Sequence, residues 1–316
     1  MSQLPASAAG KRVKVPSMLD LLRLSRRRIF PPGGPELYRQ VALLTDLSAG
    51  HEVLDVACGS GLTLEHLVLE YGVHGQGVDH DEETVERAEA YARQSELAAR
   101  LQYQHAFPDR LPYRDRIFDV VVGELGLTAR AEPEKAVREL VRVTKPGGSV
   151  VLVQLVWKAP VDDDRRRILS SHLGVRPLML VEWKRLLLEA GLEGLHTENW
   201  SREESGRGSP ATMPFPDFAE LFTLSEKLGI LRRAWRRWGW GGVSAALVRE
   251  REVHRLLTRE RILGLDLVKG TRSVLEAVGT EAADAAREGR ADATGADDAL
   301  LETGDLPVAG GGDQDP

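Results

Sequence analysis

The stretch Val53-Leu54-Asp55-Val56-Ala57-Cys58-Gly59-Ser60-Gly61-Leu62 constrains the fold most. A short apolar run enters a turn with two glycines, and a helical pattern begins at once. Leu64, Leu67, Val68 and Tyr71 share one face of residues 62–71, and Gly72 stops the helix. The same alternation continues over residues 35–156. Helical spacing marks 36–47 (Leu37, Val41, Leu44), 82–100 (Thr84, Val85, Ala88 and Tyr91 facing inward) and 133–143. Strand patterns fall at 51–57, 75–79, 101–105, 118–122 and 149–157. Val/Leu-rich strands between amphipathic helices imply a parallel sheet covered on both faces. The expected fold is a doubly wound, Rossmann-like α/β sheet that binds its ligand at the carboxyl ends of the strands.

The second half extends this sheet. Within residues 158–167 the acids Asp162, Asp163 and Asp164 read as a helix N-terminus, where they favour the positive end of the helix dipole; adjacent acids on a helix do not converge on a metal ion. A helix over 182–191 leads into a sixth strand at 192–200, and 262–269 read as a seventh. Residues 201–213 are loop-like. Between about 214 and 260 lies a helical insertion with the run Leu231-Arg232-Arg233-Ala234-Trp235-Arg236-Arg237-Trp238-Gly239-Trp240. Trp235 and Trp238, three apart, are expected to pack inward while the arginines stay solvated.

Charge divides the chain. The net charge is −6, but residues 281–316 hold ten acids against Arg287 and Arg290, a balance of −8, which leaves +2 for the rest. That Ala/Gly/Asp-rich tail reads as disordered. Residues 1–30 form a basic arm, with seven Lys/Arg against Asp20 and a leucine-rich stretch expected to pack on the domain. The domain proper is expected at 31–275. No apolar run reaches about 18 residues, so no membrane span is expected. No secretory signal is expected either. Cys58 is the single cysteine, which excludes an internal disulfide and a multi-cysteine metal site and favours a reducing, cytoplasmic setting.

The glycine loop indicates the ligand. Gly59 and Gly61 let backbone approach it closely. Asp79, 24 residues past Asp55 at the end of the next strand, can accept both hydroxyls of a ribose. A dinucleotide loop wants a third glycine where this chain has Leu64. Asp55 beside the loop is unhelpful for a pyrophosphate and suits an ammonium group. The ligand expected is a nucleoside carrying a cation.

Four motifs in order carry a resemblance. Residues 53–61 resemble motif I of class I S-adenosylmethionine-dependent methyltransferases. Gly77-Val78-Asp79 with the helix after it resembles the family's ribose-binding acid. Residues 111–119 resemble the approach to strand four, and residues 138–148 the turn before strand five. The subgroup is methyltransferase type 11. The resemblance implies a seven-stranded sheet, six strands parallel and the last antiparallel, with S-adenosyl-L-methionine as cofactor. It implies that Asp55, Ala57, Cys58, Gly59, Ser60 and Gly61 face the methionine part, with Gly123 nearby. Asp79 would hold the ribose and His80 would lie against the adenine. Where relatives often carry Gly-Asp-Ala, this chain has Gln104-His105-Ala106-Phe107, so Ala106 and Phe107, or His105, stand at the adenine edge.

Methyl transfer from a sulfonium is an in-line displacement helped mainly by alignment and water exclusion. A base is needed only where the acceptor must lose a proton. Glu124, closely after strand four, is the expected base; His172 and His105 are alternatives. The Asn/Asp-Pro-Pro-aromatic string of enzymes that methylate planar amino groups is missing after strand four. The expected partner is a small-molecule acceptor, with no metal. Two other readings stay open: a non-catalytic cofactor-binding regulator, and an RNA methyltransferase using the Arg/Trp run, since arginine and aromatics together bind single strands.

Overall fold

The computed structural model describes residues 15–25, 27–201 and 223–274. The acidic tail, the first part of the basic arm with Lys11, Arg12 and Lys14, Arg26, and residues 202–222 lie outside the described residues.

In chain order the elements are α1 Met18–Leu22, α2 Gly34–Leu44, β1 Glu52–Val56, α3 Leu62–Tyr71, β2 His74–Asp79, α4 Glu82–Gln94, β3 Leu101–His105 and β4 Phe118–Gly123. Then come a 3₁₀ turn Leu125–Thr128, α5 Pro133–Val143, β5 Thr144–Trp157, α6 Asp163–Leu173, β6 Leu178–Met179 and α7 Leu180–Glu189. The last are β7 Leu192–Asn199, α8 Leu224–His254 and β8 Leu263–Arg272. The sheet order is β3-β2-β1-β4-β5-β8-β7. The ladders β1–β2, β1–β4, β2–β3 and β4–β5 are parallel, and β8 runs antiparallel between β5 and β7. This is the expected doubly wound sheet with an antiparallel final strand. The two-residue β6, paired with the end of β5, makes an eighth strand that the sequence pattern did not suggest.

Each face of the sheet has its own core. One packs Leu54, Val121, Val150 and Leu152 against Val137, Leu140, Trp183 and Leu187. The other packs Val53, Val120, Val122 and Val151 against Leu37, Tyr38, Val41, Leu64, Leu67 and Val85. Strands buried on both sides need apolar residues at successive positions, which is why β1, β4 and β5 read as near-continuous Val/Leu.

Element ends follow local chemistry. α3 runs between Gly61 and Gly72, both left-handed, with φ of 74° and 69°. α6 begins at the expected acids: Asp162 caps it, its side chain accepting from the Arg165 amide, Asp163 and Asp164 stand in its first turn, and the helix runs to Leu173. α4 ends at Gln94, six residues before the expected 100. The Ser95 hydroxyl donates to the Ala92 carbonyl and accepts from the Leu97 amide, so the side chain replaces the next helical turn. The buried face of α4 is Thr84, Val85, Ala88 and Ala92. Tyr91, expected inward, lies at the Thr84 edge of that stripe and is half-exposed, and Arg28 stacks on its ring at 4.9 Å.

In α8 the backbone kinks at Gly239 (φ 63°, ψ −154°). Ile230, Ala234, Ala245 and Ala246 form its buried face. Trp238 packs partly against the cluster of Leu21, Ala234 and Ala246, whereas Trp235 is half-exposed. The expectation that both tryptophans pack inward therefore fails for Trp235: Ala234, one residue away, takes the inward direction on that turn.

Candidate active site

The site lies where β1, β2 and β4 end. β1 pairs Val56 with Val78 of β2 on one side and with Gly123 of β4 on the other, so Asp55, Asp79 and Glu124 converge from three strand ends. The loop after β1 is pinned to β2, since the amides of Ala57 and Cys58 both donate to the Val78 carbonyl, at 2.8 and 3.0 Å. Ala57 has φ 66°, a left-handed conformation that a residue with a Cβ adopts at a cost. At Gly61 (φ 74°), an added Cβ would stand 2.5 Å from the Tyr103 ring, whose hydroxyl donates to the Gly61 carbonyl at 2.9 Å. At Gly59, by contrast, an added Cβ would meet open space, so that backbone faces room for a ligand.

Asp79 is buried and well supplied with donors. Its Oδ2 accepts from the Gly59 amide at 3.1 Å, and its Oδ1 accepts from the Asp81 amide at 2.9 Å and from Arg23 Nη2 at 3.3 Å. His80 stands beside it, with Nε2 3.2 Å from Arg23 Nη1. Burial lowers the His80 pKa, so the ring accepts from Arg23 as a neutral imidazole.

Asp55 is different. It is fully buried, and among the described residues neither oxygen has a hydrogen-bond partner. Burial pushes its carboxyl well above the usual range, and the negative Glu124 and Asp79 push it further. Glu124 is buried as well. Its Oε1 accepts from Tyr38 Oη at 2.5 Å and Thr63 Oγ1 at 3.2 Å, while Oε2 has no partner among the described residues. Burial pushes Glu124 up to about 7, against the downward pull of those two hydroxyls. Tyr38 is itself raised, by burial first and then by Glu124. Burial, with the nearby acids, also raises the Cys58 thiol, which stays protonated.

The remaining expected residues fall as follows. The Ser60 carbonyl accepts from Arg28 Nε at 3.2 Å. The Gly123 and Glu124 carbonyls both accept from Gln154 Nε2, at 2.9 and 2.7 Å, which fixes the end of β4. Ala106 is buried, its amide donating to the Asp79 carbonyl, and Phe107 is partly exposed beyond it. His105 approaches the His80 carbonyl through Nε2 at 3.1 Å. His172 is not brought to these strand ends by any contact; its Nδ1 pairs with Glu252, tying α6 to α8. Arg23, Arg28, Tyr38 and Thr63 were not foreseen here. The first two belonged to the basic arm. Tyr38 and Thr63 lay inside helical patterns, where a tyrosine or threonine reads as packing.

Uncompensated carboxylate oxygens, open space over the Gly59 backbone, and an acid at the end of β2 suit a nucleoside with a cationic side arm. The donor set therefore fits S-adenosylmethionine on its own chemistry.

Residues 54–152 match the model of a methyltransferase domain. Methyltransferase GfsG of Streptomyces halstedii is 28% identical over 225 residues, 70% of this chain and 77% of that protein. The chain belongs to the class I S-adenosylmethionine-dependent methyltransferases. The 27-O-demethylrifamycin SV methyltransferase of Amycolatopsis mediterranei is 30% identical over 167 residues, 52% of this chain and 61% of that enzyme. A methyltransferase from Geobacter sulfurreducens, solved with S-adenosyl-L-homocysteine, superposes with a TM-score of 0.59 at 20% identity, over 82% of this chain and 98% of that one. The methyltransferase uses S-adenosylmethionine as its cofactor. Among the described residues there is no metal-binding cluster of His, Cys, Asp or Glu, and no helix is long and apolar enough to cross a membrane.

Proposed function

We propose that this methyltransferase acts on a small-molecule acceptor, with Glu124 as the base that takes the acceptor's proton. The observation that carries the reading is Glu124 itself: a buried carboxyl at the end of β4, ionising at about 7, with one oxygen committed to Tyr38 and Thr63 and the other without a partner among the described residues. A base poised near the working pH combines the right protonation state with useful driving force. When bound, the cofactor supplies an activated methyl on a sulfonium. The protein supplies the rest. Asp79 orients the ribose, the 57–61 loop and Asp55 receive the methionine end, and Ala106 with Phe107 borders the adenine. Residues 31–275 act as one catalytic domain in the cytoplasm. The named activity of the rifamycin relative supports a small-molecule acceptor.

The test is incubation with methyl-labelled cofactor and a low-molecular-mass cell extract. A labelled product below about 2 kDa that is lost in Glu124→Gln is the expected result, since losing a general base costs about 10²–10⁴-fold. A Glu124→Gln enzyme with wild-type turnover would remove Glu124 from the chemistry.

One observation favours a second reading. Trp240 is 78% exposed and Trp235 51%, on the same helix as Arg232 and Arg236, which are exposed too. Such a surface suits single-stranded RNA, which would bind with strong salt dependence.

A further inference from the structure

The acids of the site are not equally compensated. Asp79 has two backbone amides and Arg23. Asp55 and Glu124, both buried, together leave three carboxylate oxygens without a partner among the described residues. The groups packed around them from each element are Tyr38 of α2, Cys58 of the loop, Thr63 of α3 and Asp79 of β2. Tyr38 and Thr63 already give their hydroxyl hydrogens to Glu124 Oε1. Cys58 is a protonated thiol whose Sγ lies 3.9 Å from the Gly59 carbonyl. Among the described residues, no positive side chain neighbours the pair as Arg23 neighbours Asp79. Two buried carboxylates that feel each other without a cation do not both ionise, and they titrate as a unit.

We propose that Asp55 and Glu124 form a cation-reading pair that keeps a proton in the ligand-free site and yields it to solvent when the cationic methionine end of the cofactor enters, so that the site distinguishes the sulfonium cofactor from the neutral thioether product. The balance is simple. The carboxyl O–H of the pair breaks, its proton passes to buffer, and the carboxylate left behind faces the positive charge of the ligand. The thioether product keeps the ammonium and lacks the sulfonium, so it displaces less of the proton. The raised ionisation of both acids agrees with this picture. The inference rests on cofactor binding alone and not on the identity of the acceptor.

The experiment is isothermal titration of the full-length, cofactor-stripped protein with S-adenosylmethionine and with S-adenosylhomocysteine. Each titration is run in phosphate and in imidazole, whose ionisation enthalpies differ. At about pH 6.5 the methylated cofactor is expected to release about one proton per site, and the product markedly less. The ratio of their affinities should then rise towards tenfold for each pH unit from about 5.5 to 6.5. The double substitution Asp55→Asn/Glu124→Gln removes the difference between the ligands. Equal proton release by both ligands, or none by either, in the wild-type protein overturns the proposal, and that comparison requires no variant to fold.

Discussion

Glu124→Gln is expected to stabilise the ligand-free enzyme at alkaline pH and to leave it nearly unchanged at acid pH. The Glu124 carboxyl ordinarily ionises near 4.5 and in the fold at about 7. Between those values the folded protein binds more protons than the unfolded chain, so stability falls as pH climbs through that window. At about 1.36 kcal/mol per pH unit, the loss comes to roughly 3 kcal/mol once the group is fully ionised. A glutamine has the shape of the protonated acid, and Tyr38 can still donate to its Oε1, so at about pH 5 the two proteins should melt alike. At about pH 8 the glutamine variant avoids the buried charge. At about 2–4 °C per kcal/mol for a domain of this size, its Tm should stand roughly 6–12 °C above wild type. Thermal melts of stripped protein at the two pH values measure this. A Tm difference that is the same at both, or a glutamine variant that melts lower at alkaline pH, would refute the account of Glu124 as a desolvated acid.

Three further outcomes follow from the same geometry. On the proposed placement of the cofactor, Asp79→Ala removes the acceptor of both ribose hydroxyls; at about 1.5–3 kcal/mol for each charged hydrogen bond, cofactor affinity by calorimetry should fall at least roughly 100-fold, and wild-type affinity would move the ribose elsewhere. Gly61→Ala places a Cβ 2.5 Å from the Tyr103 ring at φ 74°. Left-handed strain and overpacking together should cost roughly 2–5 kcal/mol in urea denaturation, and a loss within about 0.5 kcal/mol would contradict the packing described. Under the RNA reading, Arg232→Ala/Arg236→Ala should weaken RNA binding and flatten its salt dependence; unchanged activity on every substrate in that variant would count against that reading.

Much of the sheet was readable because its strands are buried on both faces and its helices end at residues with unambiguous backbone chemistry. Gly61 and Gly72 bound α3, and Pro133 opens α5 at its expected first residue. Periodicity failed where a single side chain overrode it. Ser95 ended α4 early, and Ala234 rather than Trp235 took the inward position on α8. The two residues of β6 are too few to carry any period. At the site, the acids were legible because Asp55, Asp79 and Glu124 each stand at a strand end beside a turn. Their partners were not. Arg23 and Arg28 lie in the arm, dozens of residues from Asp79 and Ser60 in sequence, and only the fold brings them together. Tyr38 carries the same helical phase as its apolar neighbours, so the hydroxyl it delivers to Glu124 is invisible to pattern.

The central claim is that the converging strand ends use S-adenosylmethionine to methylate a small molecule. The most direct measurement is transfer of a labelled methyl group from the cofactor, with purified full-length protein supplied separately with a low-molecular-mass extract and with total RNA. The account predicts label in a small product, dependent on Asp79 and Glu124. Tight cofactor binding with no labelled product in either fraction, or label in RNA alone, would contradict it.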